Sequence, residues 1–315
     1  MSKLKVGILG GGYLSTERIS RVAKNPECII TAVCSNSEDS AARMASECNA
    51  ESYADWREFL RSGDIDAVFI STPNYLHFEM AQEALRLGKH VSVEYPMALN
   101  LADFDSLVGE AHRQGVVLHH GLTCQLEDYY LTMKRELPKI GRVFCSKARW
   151  FGPRTPWYET DEKRGSMWIA FHMHFVDHFR GLFGNPIWIE AVDQSDESAK
   201  MPMGVIFMQH REKITGYIEF GHGFVPAPKW SWSILGTTGH LEFDGEGVIL
   251  HTEAGGAQRV EMVSQDRFDV DTSSFLNQVL HGAAPVISMS EARKAIEISE
   301  AAGEAAASET RIRLG

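Results

Sequence analysis

Through the first 120 residues, short apolar runs alternate with longer amphipathic stretches. Runs rich in Val, Ile and Ala at 5–10, 29–34, 67–71, 90–94 and 116–120 are strand-length and predict buried β-strands. Between them, 16–23, 40–48, 55–61, 76–87 and 101–114 carry apolar residues at helical spacing. Strict β/α alternation implies right-handed crossovers and a parallel sheet with helices on both faces. After Gly121 the rhythm changes. A helix over 126–137 is followed by strand-like segments at 142–151, 187–194, 204–210, 214–220, 231–236, 239–243, 247–251 and 258–262. Consecutive strands favour an antiparallel or mixed sheet. An Ala-rich run over 301–307 reads as a helix packing closely on a neighbour. The expectation is an α/β protein in two parts. A doubly wound, dinucleotide-type domain spans 1–121, and an α+β domain with a large, mostly antiparallel sheet spans 122–315.

Composition narrows the class. At 315 residues the chain is long enough for two cores. No apolar run approaches the roughly 18 to 20 residues that span a bilayer. Residues 1–5 run straight into the first strand without an apolar signal core. Cysteines 28, 34, 48, 124 and 145 are odd in number and form no Cys-x-x-Cys pair, which suits reduced thiols. A cytoplasmic protein is expected. The formal net charge of -11 opposes a nucleic-acid role, so the expected partner is a small molecule, with no nucleic acid and no membrane.

The first strand runs into Gly10-Gly11-Gly12-Tyr13-Leu14-Ser15. Gly10 allows a sharp turn, Gly12 leaves room for a pyrophosphate, and the helix start at Tyr13 and Leu14 presents backbone N–H groups to phosphate. Ser15 stands where Gly or Ala completes the usual fingerprint of this Rossmann-type turn. The second strand ends in Cys34-Ser35-Asn36-Ser37, without the acid that holds a free ribose 2'-hydroxyl. Ser35, Asn36 and Arg43 suit a 2'-phosphate, which favours NADP, with NAD as the alternative. The competing reading is that these polar residues cap the next helix.

Two blocks, 6–15 and Gly88-Lys89-His90-Val91-Ser92-Val93-Glu94-Tyr95-Pro96-Met97, together resemble the Gfo/Idh/MocA family of nicotinamide-dependent oxidoreductases, whose first domain closes on G-K-H-V-x-x-E-K-P. Tyr95 replaces the lysine, and the E-Y-P-M form resembles the variant of biliverdin reductases. The resemblance extends to Ser71-Thr72-Pro73-Asn74 and His77, implying that they line the cofactor near the nicotinamide ribose, and implies that Glu94 accepts from a ribose hydroxyl. A phenol with an ordinary pKa near 10 is a proton donor without positive charge, which suits reduction. The alternative for Tyr95 is a packing role.

The segment 164–184 resembles the family's G-G-G-x-x-x-D-x-G-x-H-x-x-D helix, with His174 and Asp177 on matching positions. The family's acid is here Ala170 and a small glycine is His172. On a helix Asp177 shares a face with His174 and could orient its ring for proton exchange. His172, His174 and His178 lack a third ligand of convincing spacing, so no metal is expected there. Arg154 and Trp157, in an aromatic and basic loop, border the family's substrate cleft, and Thr123 and Gln125 occupy positions where many relatives carry Asn and Arg. Tyr95, Thr123, Arg154, Trp157, His172 and His174 are therefore the substrate-side candidates. The implied activity is hydride transfer between NADP(H) and a small cyclic or anionic carbonyl- or alcohol-type substrate, in a homodimer or higher homo-oligomer. Three alternatives stand beside it: biliverdin-reductase-like reduction of a conjugated substrate, cofactor-retaining glycoside hydrolysis, and nucleotide sensing without turnover.

Overall fold

The computed structural model describes residues 2–62, 64–153, 165–170, 172–196 and 201–315. The chain divides into two compact units, Met1–Thr123 with Asp266–Arg293, and Cys124–Gln265 with Lys294–Gly315. Residues 266–293, which a single division at 121/122 assigns to the second domain, thus pack with the first.

In the first unit the order is β1 (Leu4–Leu9), α1 (Tyr13–Val22), β2 (Cys28–Cys34), α2 (Glu38–Cys48), β3 (Glu51–Tyr53), α3 (Trp56–Ser62), β4 (Ala67–Ile70), α4 (Asn74–Arg86), β5 (His90–Glu94), α5 (Leu101–Gln114) and β6 (Leu118–Gly121). Among the described residues these strands form one parallel sheet in the order β3-β2-β1-β4-β5-β6. Every residue of β4 is buried, as a central parallel strand covered on both faces requires. Helix starts follow local chemistry. Ser37 accepts from the Ser40 N–H at the head of α2, and Asn100 accepts from the Asp103 N–H at the head of α5.

The second unit contains α6 (Asp128–Glu136), β7 (Val143–Gly152), α7 (Met167–Ala170), α8 (Met173–Phe183), β8 (Trp188–Asp193), β9 (Met203–Gln209), β10 (Thr215–His222), β11 (Ser231–Gly236), β12 (Gly239–Phe243), β13 (Val248–Thr252) and β14 (Gly256–Arg259). The chain then forms α9 (Arg267–His281) in the first unit and α10 (Met289–Ser308), within which the division falls, and ends with β15 (Ile312–Arg313). The described strands of this unit form one sheet, β14-β13-β12-β11-β7-β10-β9-β8-β15, antiparallel except where β7 and β10 run parallel. Its strands alternate: Trp232 and Ile234 of β11 are buried, whereas Ser231 and Ser233 are half-buried on the opposite face. Trp232 donates through Nε1 to Ser146 Oγ at 2.9 Å and stacks on Phe179.

Three differences from the sequence expectation are local. Strand β14 lies at Gly256–Arg259 instead of 258–262, and β3 and β15 are too short to carry a pattern. Helix α9 has no counterpart among the expected elements. Asp266 caps it by accepting from the Phe268 and Asp269 N–H groups, and Phe275 meets Phe69 edge-on at 5.0 Å in the first unit's core. No described helix is long and apolar enough to cross a membrane, and none of the five cysteines forms a disulfide.

Candidate cofactor site and proton-handling residues

In a doubly wound sheet, ligands bind beyond the carboxyl ends of the strands where the strand order reverses. Here that point lies between β1 and β4. Residues 10–12 follow β1 and residues 71–73 follow β4. Gly10 adopts φ +135°, and a Cβ on it would strike the Ser71 carbonyl oxygen and lie 2.8 Å from Ser15 Oγ. Only glycine serves there. Gly11 backs onto the Ser35 hydroxyl, which a Cβ would strike, with Ser40 Oγ at 2.9 Å. Gly12, by contrast, precedes α1 with extended backbone, and a Cβ on it would meet no protein atom within 4 Å. The first turn of α1 bears no acidic side chain, and Gly12 supplies no side-chain cap. The N–H groups of Tyr13, Leu14 and Ser15 are thus placed for an anion. The hydroxyl oxygens of Ser15 and Ser71 are buried without a hydrogen-bond partner. An open glycine cradle flanked by two orphaned hydroxyls fits the phosphates of a dinucleotide. The Tyr13 ring, 68% exposed, meets Phe268 edge-on at 6.5 Å, and Leu14 is half-buried.

At the end of β2, the capping reading holds for Ser37. Ser35 is buried and its Oγ lies 3.4 Å from the Ser37 N–H. Asn36 is exposed, and Arg43 pairs with Glu47 at 3.0 Å on the α2 surface. At the end of β4, Pro73 precedes α4, which Asn74 opens, and Thr72 Oγ1 contacts Met80 Sδ at 3.4 Å. His77 is buried, with Nδ1 2.7 Å from the Pro96 carbonyl and Nε2 2.7 Å from the Thr72 carbonyl. Burial lowers its pKa against the pull of both carbonyls. Its ring nitrogens tie the loop after β4 to the loop after β5 and are not offered to a cofactor. The Tyr95–Pro96 peptide is cis. Tyr95 is half-buried, its ring stacked on His120 at 6.4 Å, and the Met97 N–H donates to His120 Nε2 at 3.1 Å.

Glu94 is enclosed at the end of β5. It is 7% exposed and accepts from Arg18 Nε at 2.6 Å. Arg18, fully buried in α1, also pairs through Nη2 with Asp271 of α9 at 2.7 Å and donates through Nη1 to Thr272 at 2.8 Å. The rings of Phe69 and Phe268 flank its guanidinium at 5.6 and 5.5 Å. Gln278 donates to His119 Nδ1 at 3.0 Å, which leaves His119 Nε2–H to donate to Asp271 at 2.9 Å. Burial opposes charge throughout. For Arg18 the two carboxylates outweigh it and raise the pKa further; for Asp271, Arg18 and His119 outweigh it and hold the acid at about 2. For Glu94 burial prevails over Arg18 and moves its pKa upward.

In the second unit, His174 is half-buried in the first turn of α8. Asp177 is fully buried, and its carboxylate accepts from Arg180 Nε at 2.6 Å and Gln125 Nε2 at 2.7 Å, with Cys124 Sγ at 3.4 Å. These contacts make it an anchor of α8. His172 is fully buried beside Trp168 and Phe220, and burial, with His222 and His174 nearby, holds its pKa well down. It is a core residue. His178 Nε2 lies 2.9 Å from the Cys124 carbonyl and 3.1 Å from Tyr129 Oη. Thr123, in the first unit just after β6, is buried, and Arg154 and Trp157 lie outside the described residues.

Residues 4–122 match the family described as GFO_IDH_MocA, oxidoreductase family, NAD-binding Rossmann fold. This segment belongs to that family. A myo-inositol 2-dehydrogenase of Thermotoga maritima is similar to this chain, 22% identical over 95% of each. A scyllo-inositol 2-dehydrogenase (NADP(+)), IolU, of Bacillus subtilis is 31% identical over 44% of this chain and 43% of its own, so that match spans less than half of the relative. Among solved structures, biliverdin reductase from Synechocystis sp. PCC 6803, in complex with biliverdin and NADP+, superposes with a TM-score of 0.88 at 24% identity over 96% of this chain and 99% of that one. At that identity the likeness shows the fold.

Sequence reasoning did not single out Gly11, Arg18, His119 or Asp271 within the first unit. Arg18 sits on an amphipathic helix where a charged residue reads as solvated. Only its distance from Glu94 and Asp271, 76 and 253 positions along the chain, makes it a core residue.

Proposed function

We propose that the protein is an NADP(H)-dependent oxidoreductase that transfers a hydride between nicotinamide and a small cyclic or anionic carbonyl- or alcohol-type substrate. The observation that carries this reading is the open cradle at Gly12 with the orphaned hydroxyls of Ser15 and Ser71 at the strand-order reversal. When bound, the nicotinamide supplies the hydride. The backbone N–H groups at the start of α1 hold phosphate, and Gly10 and Gly11 let the loop close against Ser71 and Ser35. Asn36 and the exposed, weakly paired Arg43 favour a 2'-phosphate. Glu38 and Asp39 in the first turn of α2 supply the reason to measure NAD as well, because a carboxylate at the ribose favours the unphosphorylated cofactor.

Tyr95 and His174 are the proposed proton carriers. The Tyr95 hydroxyl donates in the reductive direction, and the His174 imidazole is the second carrier. Asp177, through Arg180 and Gln125, positions the helix that bears His174. A cytoplasmic homo-oligomer acting on a small molecule completes the reading. Reduction of a conjugated substrate is the second reading, favoured by Glu94-Tyr95-Pro96-Met97.

The test is thermal unfolding of nucleotide-free protein with NADP(H) and with NAD(H), followed by NADPH oxidation against cyclic sugars, polyols and a bilin. A shift of a few degrees with NADP(H) and not NAD(H), with turnover lost in Tyr95→Phe combined with His174→Ala, is the expected result. Absence of a shift with either nucleotide overturns the oxidoreductase reading. Binding without turnover on the whole panel replaces it with a sensing role, and glycoside cleavage without net NADPH consumption with a hydrolase.

A further inference from the structure

We propose that the second unit carries a transition-metal site on the half-buried face of its sheet, formed by His240 and Glu242 of β12 and His251 of β13, with Zn2+ as its simplest occupant. Antiparallel pairing places His240 directly opposite His251, and two residues along β12 the same period-two alternation brings Glu242 to the same face. Leu241, Phe243, Val248 and Leu250 point the other way, into the core, so the three donors stand on a rigid hairpin whose inner face is packed.

The side chains already converge. The two imidazole rings lie parallel, 4.0 Å apart with an 8° interplanar angle, and His251 Nε2 is 3.6 Å from a Glu242 carboxylate oxygen. One donor atom from each residue falls within 4.8 Å of the other two. Tetrahedral zinc with bonds of about 2.0–2.1 Å sets its ligands about 3.3 Å apart. Loading an ion requires the stacked rings to turn so that one nitrogen of each faces it, and the donor atoms start within 4.8 Å of one another. Nε2 of His251 is shielded from solvent and makes no hydrogen bond, with the Glu242 carboxylate beyond hydrogen-bond range at 3.6 Å.

Two imidazoles and one carboxylate select late first-row divalent ions over Mg2+ or Ca2+, which take oxygen ligands. Three protein ligands leave a fourth position for water or a second donor. The sequence spacing conceals the site because His251 reaches it across a strand pair. Of the histidines in 172–178, His172 is packed in the core and His178 lies against the Cys124 carbonyl.

The experiment uses the full chain, stripped with chelator and dialysed, titrated with ZnCl2 by calorimetry and with CoCl2 by visible absorption. One Zn2+ per chain is expected, with apparent affinity lowered at least tenfold in His240→Ala and in His251→Ala and at least threefold in Glu242→Gln. Millimolar Mg2+ should not compete. The Co2+ complex should show tetrahedral d–d bands that both histidine variants lose. Circular dichroism confirms that each variant is folded, and the more conservative His251→Asn replaces any that is not. Absence of Zn2+ binding at 100 µM, or unchanged affinity and Co2+ spectrum in the folded His251 variant, overturns the proposal. None of these readouts depends on nucleotide binding or turnover, so the outcome is separable from the oxidoreductase reading.

Discussion

Replacing Arg18 by Met tests the buried ion network at the heart of the first unit. The substitution keeps an unbranched apolar stem in α1 but removes the cation that Glu94 and Asp271 share. Both carboxylates are more than nine-tenths buried, so neither can recover its partner from water. Breaking a buried pair by deleting one member costs about 3–5 kcal/mol. A second route reaches the same scale: holding one buried carboxyl neutral at pH 7.5 against an unfolded pKa near 4 costs about 5 kcal/mol as an upper limit. The sign follows from linkage. Without Arg18, the folded pKa of Asp271 rises above its unfolded value and that of Glu94, already raised by burial, climbs further, so the cost grows as pH climbs past about 4 and is smaller at about pH 5.5 than at 7.5. Urea unfolding followed by circular dichroism at the two pH values measures both effects. A loss below about 1 kcal/mol at pH 7.5, or a loss that does not change with pH, refutes the reasoning. Pairing Arg18→Met with Glu94→Gln should cost less than the sum of the single changes, because the second substitution removes one of the stranded charges.

Gly12→Ala should leave the melting temperature of the nucleotide-free protein within about a degree, because its Cβ enters open space, while weakening NADPH at least tenfold in a binding titration. Gly11→Ala should instead destabilise the nucleotide-free protein by about 1–3 kcal/mol in urea unfolding, through collision with the Ser35 hydroxyl. Asp271, held at about 2 against an ordinary 3.8, contributes stability that is present above about pH 4 and is lost as pH falls toward 2; Asp271→Asn should flatten the acid limb of a stability–pH curve by about 2 kcal/mol. Asp177→Ala strands the largely buried Arg180 and should lower stability by about 3–5 kcal/mol in the same unfolding assay, whereas a residue that only oriented His174 would lower turnover with little effect on unfolding.

The alternation of apolar runs with helical patterns determined the first sheet, because a buried parallel strand and an amphipathic crossover each leave a local signature at residues 5–120. The glycines after β1 announced a tight turn before a helix for the same reason: the backbone demand is met by the residue itself. The change of rhythm after Gly121 likewise marked the second sheet. Tertiary structure decided what depends on distant partners. Ser35 turned out to support Gly11, and His77 to join two loops, because each neighbour arrives from another strand end. Glu94, which the resemblance set at a ribose hydroxyl, is enclosed by Arg18 from α1 and lies in a network completed by Asp271 from α9, a helix that sequence patterning did not reveal and that returns to the first unit after some 140 intervening residues. Asp177, three positions from His174, spends its carboxylate on Arg180 and Gln125. Local periodicity carries the folding of each element, whereas the charge state and exposure of a side chain are set by whatever the fold brings against it.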